Sequence, residues 1–149
     1  MLIYTIGHSS RSLDQFIKLL KKYGIKRVID VRRFPVSTKY PHFNRENLEK
    51  SLKSSKIKYF WLGDLLGGYR SGGYEKYMET DQFKEGIEKL LSITLDRKTA
   101  IMCAEIVWFR CHRRFISDHL VGMGHKVVHI IDEKRIYEHK LRNQRPNIS

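Results

Sequence analysis

Five short apolar runs, at 1–6, 26–32, 56–62, 99–103 and 126–131, recur along the chain with amphipathic segments between them. This alternation limits the fold more than any other feature of the sequence. A strand covered on both faces carries apolar residues without a polar break, as Val28 and Ile29 do before Asp30 and Arg32 interrupt the run. The intervening segments follow helical spacing. Ser12 and Gln15 form a capping-box pattern, Phe16, Leu19, Leu20 and Tyr23 supply an apolar face, and Gly24 ends the helix. Asn44 is expected to cap a helix over 45–54 with Leu48 and Leu52 facing inward, and Thr80 to open another through Phe83, Ile87, Leu90 and Leu91. Phe115, Ile116 and Leu120 mark a helix over 113–121, stopped at Gly122-Met-Gly124. Strands alternating with helices imply parallel β-α-β units with right-handed crossovers. The expected fold is therefore α/β, a three-layer α/β/α sandwich with a mostly parallel sheet of about five strands. Residues 33–43 and 66–74 read as loops, the second rich in glycine, and 132–143 as a short basic helix within a basic C-terminal tail, 132–149.

A chain of 149 residues suits one substantial core, so a single domain over 1–149 is expected. No apolar run approaches the roughly 20 residues that span a bilayer, and no basic segment precedes the first strand. Two cysteines form at most one bridge, which excludes a disulfide scaffold and makes a cytoplasmic setting the expectation. Lys and Arg outnumber Asp and Glu by 29 to 16, a net charge of +13. Such a field draws polyanionic partners, although a solvated Lys-rich surface gives the same count and no nucleic-acid motif accompanies it.

In open parallel sheets ligands bind beyond the carboxyl ends of the strands, where loops and helix N-termini converge. The chemically capable residues fall at those ends. Gly7, His8 and Ser9 follow the first run, Asp30, Arg32 and Arg33 end the second, and Gly67, Gly68 and Arg70 follow the third. Cys103, Glu105, Cys111, His112 and Arg113 surround the end of the fourth. Cys103 is open to two readings, a thiolate nucleophile or a small buried hydrophobe. Cys111 precedes a helix N-terminus, which favours a thiolate, and a redox pair between the two cysteines is the weaker option because their spacing is not Cys-x-x-Cys. Glu105, His8 and His112 are candidates for proton transfer. Arg32, Arg70 and Arg113, with Ser9, Gly67 and Gly68, are candidates for gripping an anion, and ion pairs with Asp30, Asp64 and Glu105 are the alternative use of the arginines. The histidines and cysteines lack structural-zinc spacing, so neither a metal nor another cofactor is expected.

The ordered set Thr-Ile-Gly-His-Ser at 5–9, Asp-Val-Arg at 30–32, Pro41-x-Phe43, Leu66-Gly-Gly68, Tyr74-x-x-Tyr-Met78, Met-Cys-Ala-Glu at 102–105 and Cys-His-Arg at 111–113 resembles the family called domain of unknown function 488. The resemblance runs over roughly 3–131. It implies a compact α/β domain and supplies no reaction, so function rests on the residues. The leading reading is an enzyme or ligand-binding domain for a phosphate-bearing small molecule, a nucleotide or nucleic acid. One alternative is cysteine chemistry, because Val28-Ile-Asp-Val-Arg32 is similar to a rhodanese strand; yet six residues separate Cys103 from Arg110, one more than in the tyrosine-phosphatase loop. The other is a non-enzymatic nucleic-acid-binding module.

Overall fold

Ile3, Tyr4, Thr5 and Ile6 are all buried, so the first strand, β1 (Leu2–Gly7), needs a neighbour on each edge and a layer on each face. It has both. The computed structural model describes residues 1–141, without the side chain of Arg110. Beside β1 it places β2 (Arg27–Asp30), β3 (Lys58–Trp61), β4 (Thr99–Cys103), β5 (Lys126–Ile130) and β6 (Ile136–Glu138). The order across the sheet is β3-β2-β4-β1-β5-β6, parallel except for β6.

The helices are α1 (Leu13–Lys22), α2 (Arg45–Ser54), α3 (Gly63–Leu66), α4 (Tyr74–Tyr77), α5 (Asp81–Thr94) and α6 (Arg113–Gly122). Phe16 and Leu20 of α1 and Leu48 and Leu52 of α2 share one core with Ile6, Val28 and Met102. Phe83 and Leu90 of α5 and Ile116 and Leu120 of α6 share the other with Ile3, Ile29 and Val127. The sheet thus separates two apolar layers, and each such side chain taken from water contributes about 1.5–3 kcal/mol. Ser12 caps α1 reciprocally with Gln15, and the Thr80 hydroxyl accepts from the Phe83 N–H.

Two expectations need correction. Asn44 sits at the N-cap of α2 but its side chain does not cap it; Oδ1 accepts instead from the Ser37 N–H at 2.6 Å, which folds the preceding loop over the helix start. The expected helix at 132–143 is replaced, over the described residues, by a turn and β6. Asp132 Oδ1 accepts from the Lys134 and Arg135 N–H groups, and the chain reverses to pair antiparallel with β5, Ile130 opposite Ile136. The remainder of that expected helix and tail, 142–149, lies outside the described residues.

Register brings the strand ends level. Gly7 lies opposite Cys103 and Asp30 opposite Met102, so the loops after β1, β2 and β4 leave the sheet at one height. The chain leaves β1 for the face of α1 and β4 for the face of α6, the parting of neighbouring loops that opens a crevice in doubly wound sheets.

Candidate functional site: paired thiols at the carboxyl edge of the sheet

The loop after β4 folds back onto the end of β1. His8 N–H donates to Cys103 O at 3.0 Å and Ser9 N–H to Ala104 O at 2.7 Å, extending the ladder past both strands. Gly7 permits this approach: a Cβ there would stand 1.8 Å from the Glu105 carbonyl oxygen. Arg113, in the first turn of α6, reaches beneath the same loop, and its Nη2 donates to the carbonyls of Glu105 and Ile106.

This folding brings the two sulfurs together. Cys103 ends β4 and is buried, Cys111 precedes α6 and is half-buried, and their Sγ atoms are 3.1 Å apart. Cys111 Sγ also accepts from the Arg113 N–H at 3.3 Å. The hydrogen bond from Cys111 brings Cys103 down to about 7; burial opposes the shift and the Arg113 cation reinforces it. The Cys111 thiol is pushed up, first because it donates that bond and then by burial and the Cys103 charge. The two sulfurs therefore act near neutrality as a unit holding one proton and one negative charge. Arg113 is the complement. It is fully buried, no described carboxylate lies within ion-pairing distance, and its Nε and Nη1, like Ser117 Oγ, have no hydrogen-bond partner among the described residues. A buried guanidinium needs a counter-charge, and the adjacent thiolate supplies one.

In front of the thiols lies an open hollow of about 380 Å³, whose walls include Arg32, Gly68, Glu105, Cys111 and His112. A second recess of about 330 Å³ continues past Gly68, Cys111 and His112 towards Tyr74 and Arg114. Five of the expected residues thus meet at one opening, with Cys103 and Arg113 behind it. Arg33, expected at the end of the second strand, also lines the first hollow, and its Nη1 donates to the carbonyl of Tyr69, which joins it there. The available signal was position, since both follow strand ends whose loops converge. A roomier hollow of about 640 Å³ between α1 and the β5–β6 turn is lined by neither thiol nor histidine.

The expected anion-gripping arginines are engaged elsewhere. Arg32 donates through Nε and Nη2 to the two oxygens of Asp30, which is itself fully buried and also accepts from the Tyr59 hydroxyl. Arg70 donates to the carbonyls of Gly67, Gly63 and Asp64 and stacks on Tyr77, 4.1 Å from the ring centre. Its partner is therefore the backbone of Asp64, not the carboxylate that an ion pair would use. Ser9 turns into the positive-φ region and serves the backbone junction with Ala104. Glu105 holds Arg113 through its carbonyl, while its side chain is exposed at the rim. Gly67 packs against Arg33, and Gly68 lets His112 Nδ1 come close to the backbone.

Both candidate histidines are neutral. Burial takes His8 and His112 down to about 4, against an ordinary value of 6.5. His8 Nδ1–H donates to Ser9 O and the ring stacks on Phe43; His112 Nε2–H donates to Val31 O. Each keeps its other nitrogen free of a proton. Because the unfolded chain binds these protons more readily, their contribution is complete above pH 6.5 and is lost as pH falls through 4. Urea titrations at several pH values should show stability declining over that interval by roughly 3 kcal/mol for each ring, and His112→Gln should flatten the decline.

Sequence spacing gave no sign of a second polar chain. Thr5 Oγ1 meets His129 Nδ1, His129 Nε2 lies 2.8 Å from His139 Nδ1, and His139 Nε2 lies 2.6 Å from Asp118 Oδ1. A carboxylate can only accept, so at the end of this polar chain the His139 Nε2–H donates to Asp118. Trp108 stacks on His129 at 4.8 Å, which pins the loop carrying Cys111 to β5. Among the described residues no cluster of three or more His, Cys, Asp or Glu is placed to hold a metal.

Fold and site together define a doubly wound α/β domain with two apposed thiols and a buried arginine at the carboxyl edge of its sheet. Over residues 12–120 the chain matches the family described as Domain of unknown function DUF488, and it belongs to that family. No curated protein and no solved structure matches it. Among the described residues no helix is long and apolar enough to cross a membrane.

Proposed function

We propose that this protein is a thiol-dependent enzyme in which the Cys103/Cys111 pair is the reactive group and Cys111 meets the substrate in the hollow at the sheet edge. The observation that carries the reading is the 3.1 Å approach of the two sulfurs beside a buried arginine that has no carboxylate partner among the described residues. Shared protonation gives a sulfur anion near neutral pH, and the opening at Cys111 gives an electrophile access to it. A phosphate site built on Arg32, Arg70 and Arg113 is less well supported, because Arg32 is held by Asp30, Arg70 by backbone carbonyls, and Arg113 lies fully buried behind the opening. An anionic substrate, a nucleotide among them, would instead meet Arg33 and Arg114, which line the two recesses. His112 Nδ1, neutral and proton-free beside Gly68, is placed to accept a proton from a bound group. Glu105 at the rim is the other candidate.

The test is the rate of Cys111 alkylation by iodoacetamide against pH, followed by peptide mass spectrometry. Wild type should show a midpoint near 7, and Cys103→Ser should move it upward by about one unit or more, towards the ordinary thiol range. A wild-type midpoint at or above about 8.5 overturns the reading. Incubation with thiosulfate or an aryl phosphate then separates the chemistries, as a persulfide or a phosphocysteine on Cys111.

A further inference from the structure

We propose that Cys103 is the resolving thiol of a dithiol/disulfide centre, so that the site exchanges electron pairs with low-molecular-weight disulfides. This rests on Cys111 being the reachable nucleophile. Cys111 lines both recesses, whereas Cys103 is 1% exposed and lies behind it, so an incoming disulfide meets one sulfur and never the other. The Cys111 thiolate attacks one sulfur of R–S–S–R, forming the mixed disulfide Cys111–S–S–R and expelling R–S⁻. For that step the proton that rests on Cys111 passes along the 3.1 Å sulfur–sulfur contact to Cys103, leaving the charge on the reachable sulfur. Cys103 then loses it to the departing thiolate or to water, attacks Cys111 Sγ, and expels the second R–S⁻. The protein has given up two electrons and one proton, and one disulfide has become one thiol and one thiolate, which takes its proton from water.

The geometry favours the second step over release of a trapped adduct. The sulfurs need to close from 3.1 Å to about 2.05 Å, a movement of about 1 Å within a loop of chain that already turns back on itself. No spacer like that of a Cys-x-x-Cys turn is required, because the strand end and the helix start present the two thiols face to face.

Arg113 sets the direction in which the centre runs. In the reduced form its charge favours the Cys103 thiolate; closing the disulfide removes that charge and leaves a fully buried guanidinium whose acceptors, among the described residues, are two carbonyls. Whatever stabilises the reduced, ionised form makes the couple more oxidising. Arg113 is thus a positioning residue for the redox equilibrium. Its replacement by methionine fills similar volume without the charge and should favour the disulfide.

The experiment treats fully reduced protein with a small excess of oxidised glutathione or 2,2′-dithiodipyridine, and reads intact mass with peptide mapping. Wild type should release two equivalents of thiol and end as an adduct-free Cys103–Cys111 disulfide. Cys103→Ser should stop at a single adduct on Cys111, and Cys111→Ser should leave Cys103 unmodified. Equilibration against glutathione redox buffers should place Arg113→Met at least about tenfold further towards the disulfide than wild type. A wild-type protein that retains an adduct on Cys111 overturns the resolving role while leaving the thiolate reading intact. A Cys111 that takes up no probe at all overturns both, and an Arg113→Met equilibrium equal to wild type removes the role assigned to Arg113.

Discussion

Asp30→Ala should lower the stability of this protein by about 3–5 kcal/mol, the cost of breaking a buried ion pair from one side. The carboxylate has no exposure and accepts four hydrogen bonds: from Arg32 Nε at 2.9 Å, Arg32 Nη2 at 2.7 Å, the Arg32 N–H at 3.0 Å and the Tyr59 hydroxyl. Alanine leaves Arg32, 8% exposed, with a cation facing neutral His8 and leaves the Tyr59 hydroxyl unsatisfied. Tyr59→Phe removes one neutral donor and keeps the ion pair, so it should cost only about 1 kcal/mol. Urea denaturation of the two variants measures the contrast; equal losses would refute the view that the charge pair, rather than the hydroxyl, governs this end of β2.

Gly7→Ala should be comparably damaging, at roughly 3–5 kcal/mol, for a steric reason. The added methyl would meet the Glu105 carbonyl oxygen at 1.8 Å, its carbon at 2.4 Å and the Ile106 nitrogen at 2.8 Å. These are backbone atoms, so no side chain can rotate away. Relief requires lifting the loop that ends at Cys111, which also withdraws the carbonyls that hold Arg113. The variant should therefore lose reactivity as well as stability, its Cys111 alkylation midpoint rising to the ordinary thiol range. Gly122→Ala is the control: nothing lies within 4 Å of its added methyl, and in a helix the change should be neutral or stabilising by about 0.5–1 kcal/mol. Thermal melts and alkylation profiles of the pair check both halves of the expectation.

β1, β2, β4 and β5 were legible because each is buried along nearly its whole length and so shows a near-continuous apolar run, and β3, a part-buried edge strand, through its aromatic Tyr59-Phe-Trp61. β6 was not, since Ile136, Tyr137 and Glu138 form a short, partly exposed edge whose pairing is decided by the Asp132 turn. The convergence at the strand ends followed from topology alone, and Arg32, Gly68, Glu105, Cys111 and His112 do share one opening. What the cationic side chains do there was less accessible. A sequence displays an arginine without its partner, and the alternative of an ion pair proved true of Arg32, while Arg70 and Arg113 turned to carbonyl oxygens that no motif marks. The Cys103–Cys111 contact was hidden for a related reason. Eight positions separate the two, and only the reversal between β4 and α6, closed over Gly7, brings their sulfurs into reach.

The place of β4 bears on how the molecule is made. β1 and β2 have no bonds to one another; each pairs with β4, which is added between them late in the chain. A nascent polypeptide released only as far as α5 holds the β2–β3 pair and a lone β1 with neither neighbour, and cannot complete its scaffold until residues 99–103 and then 126–130 emerge. Cooperative assembly must therefore wait for the same short segment that delivers Cys103, so a chain cut before it should be a target for aggregation or degradation rather than a smaller stable domain.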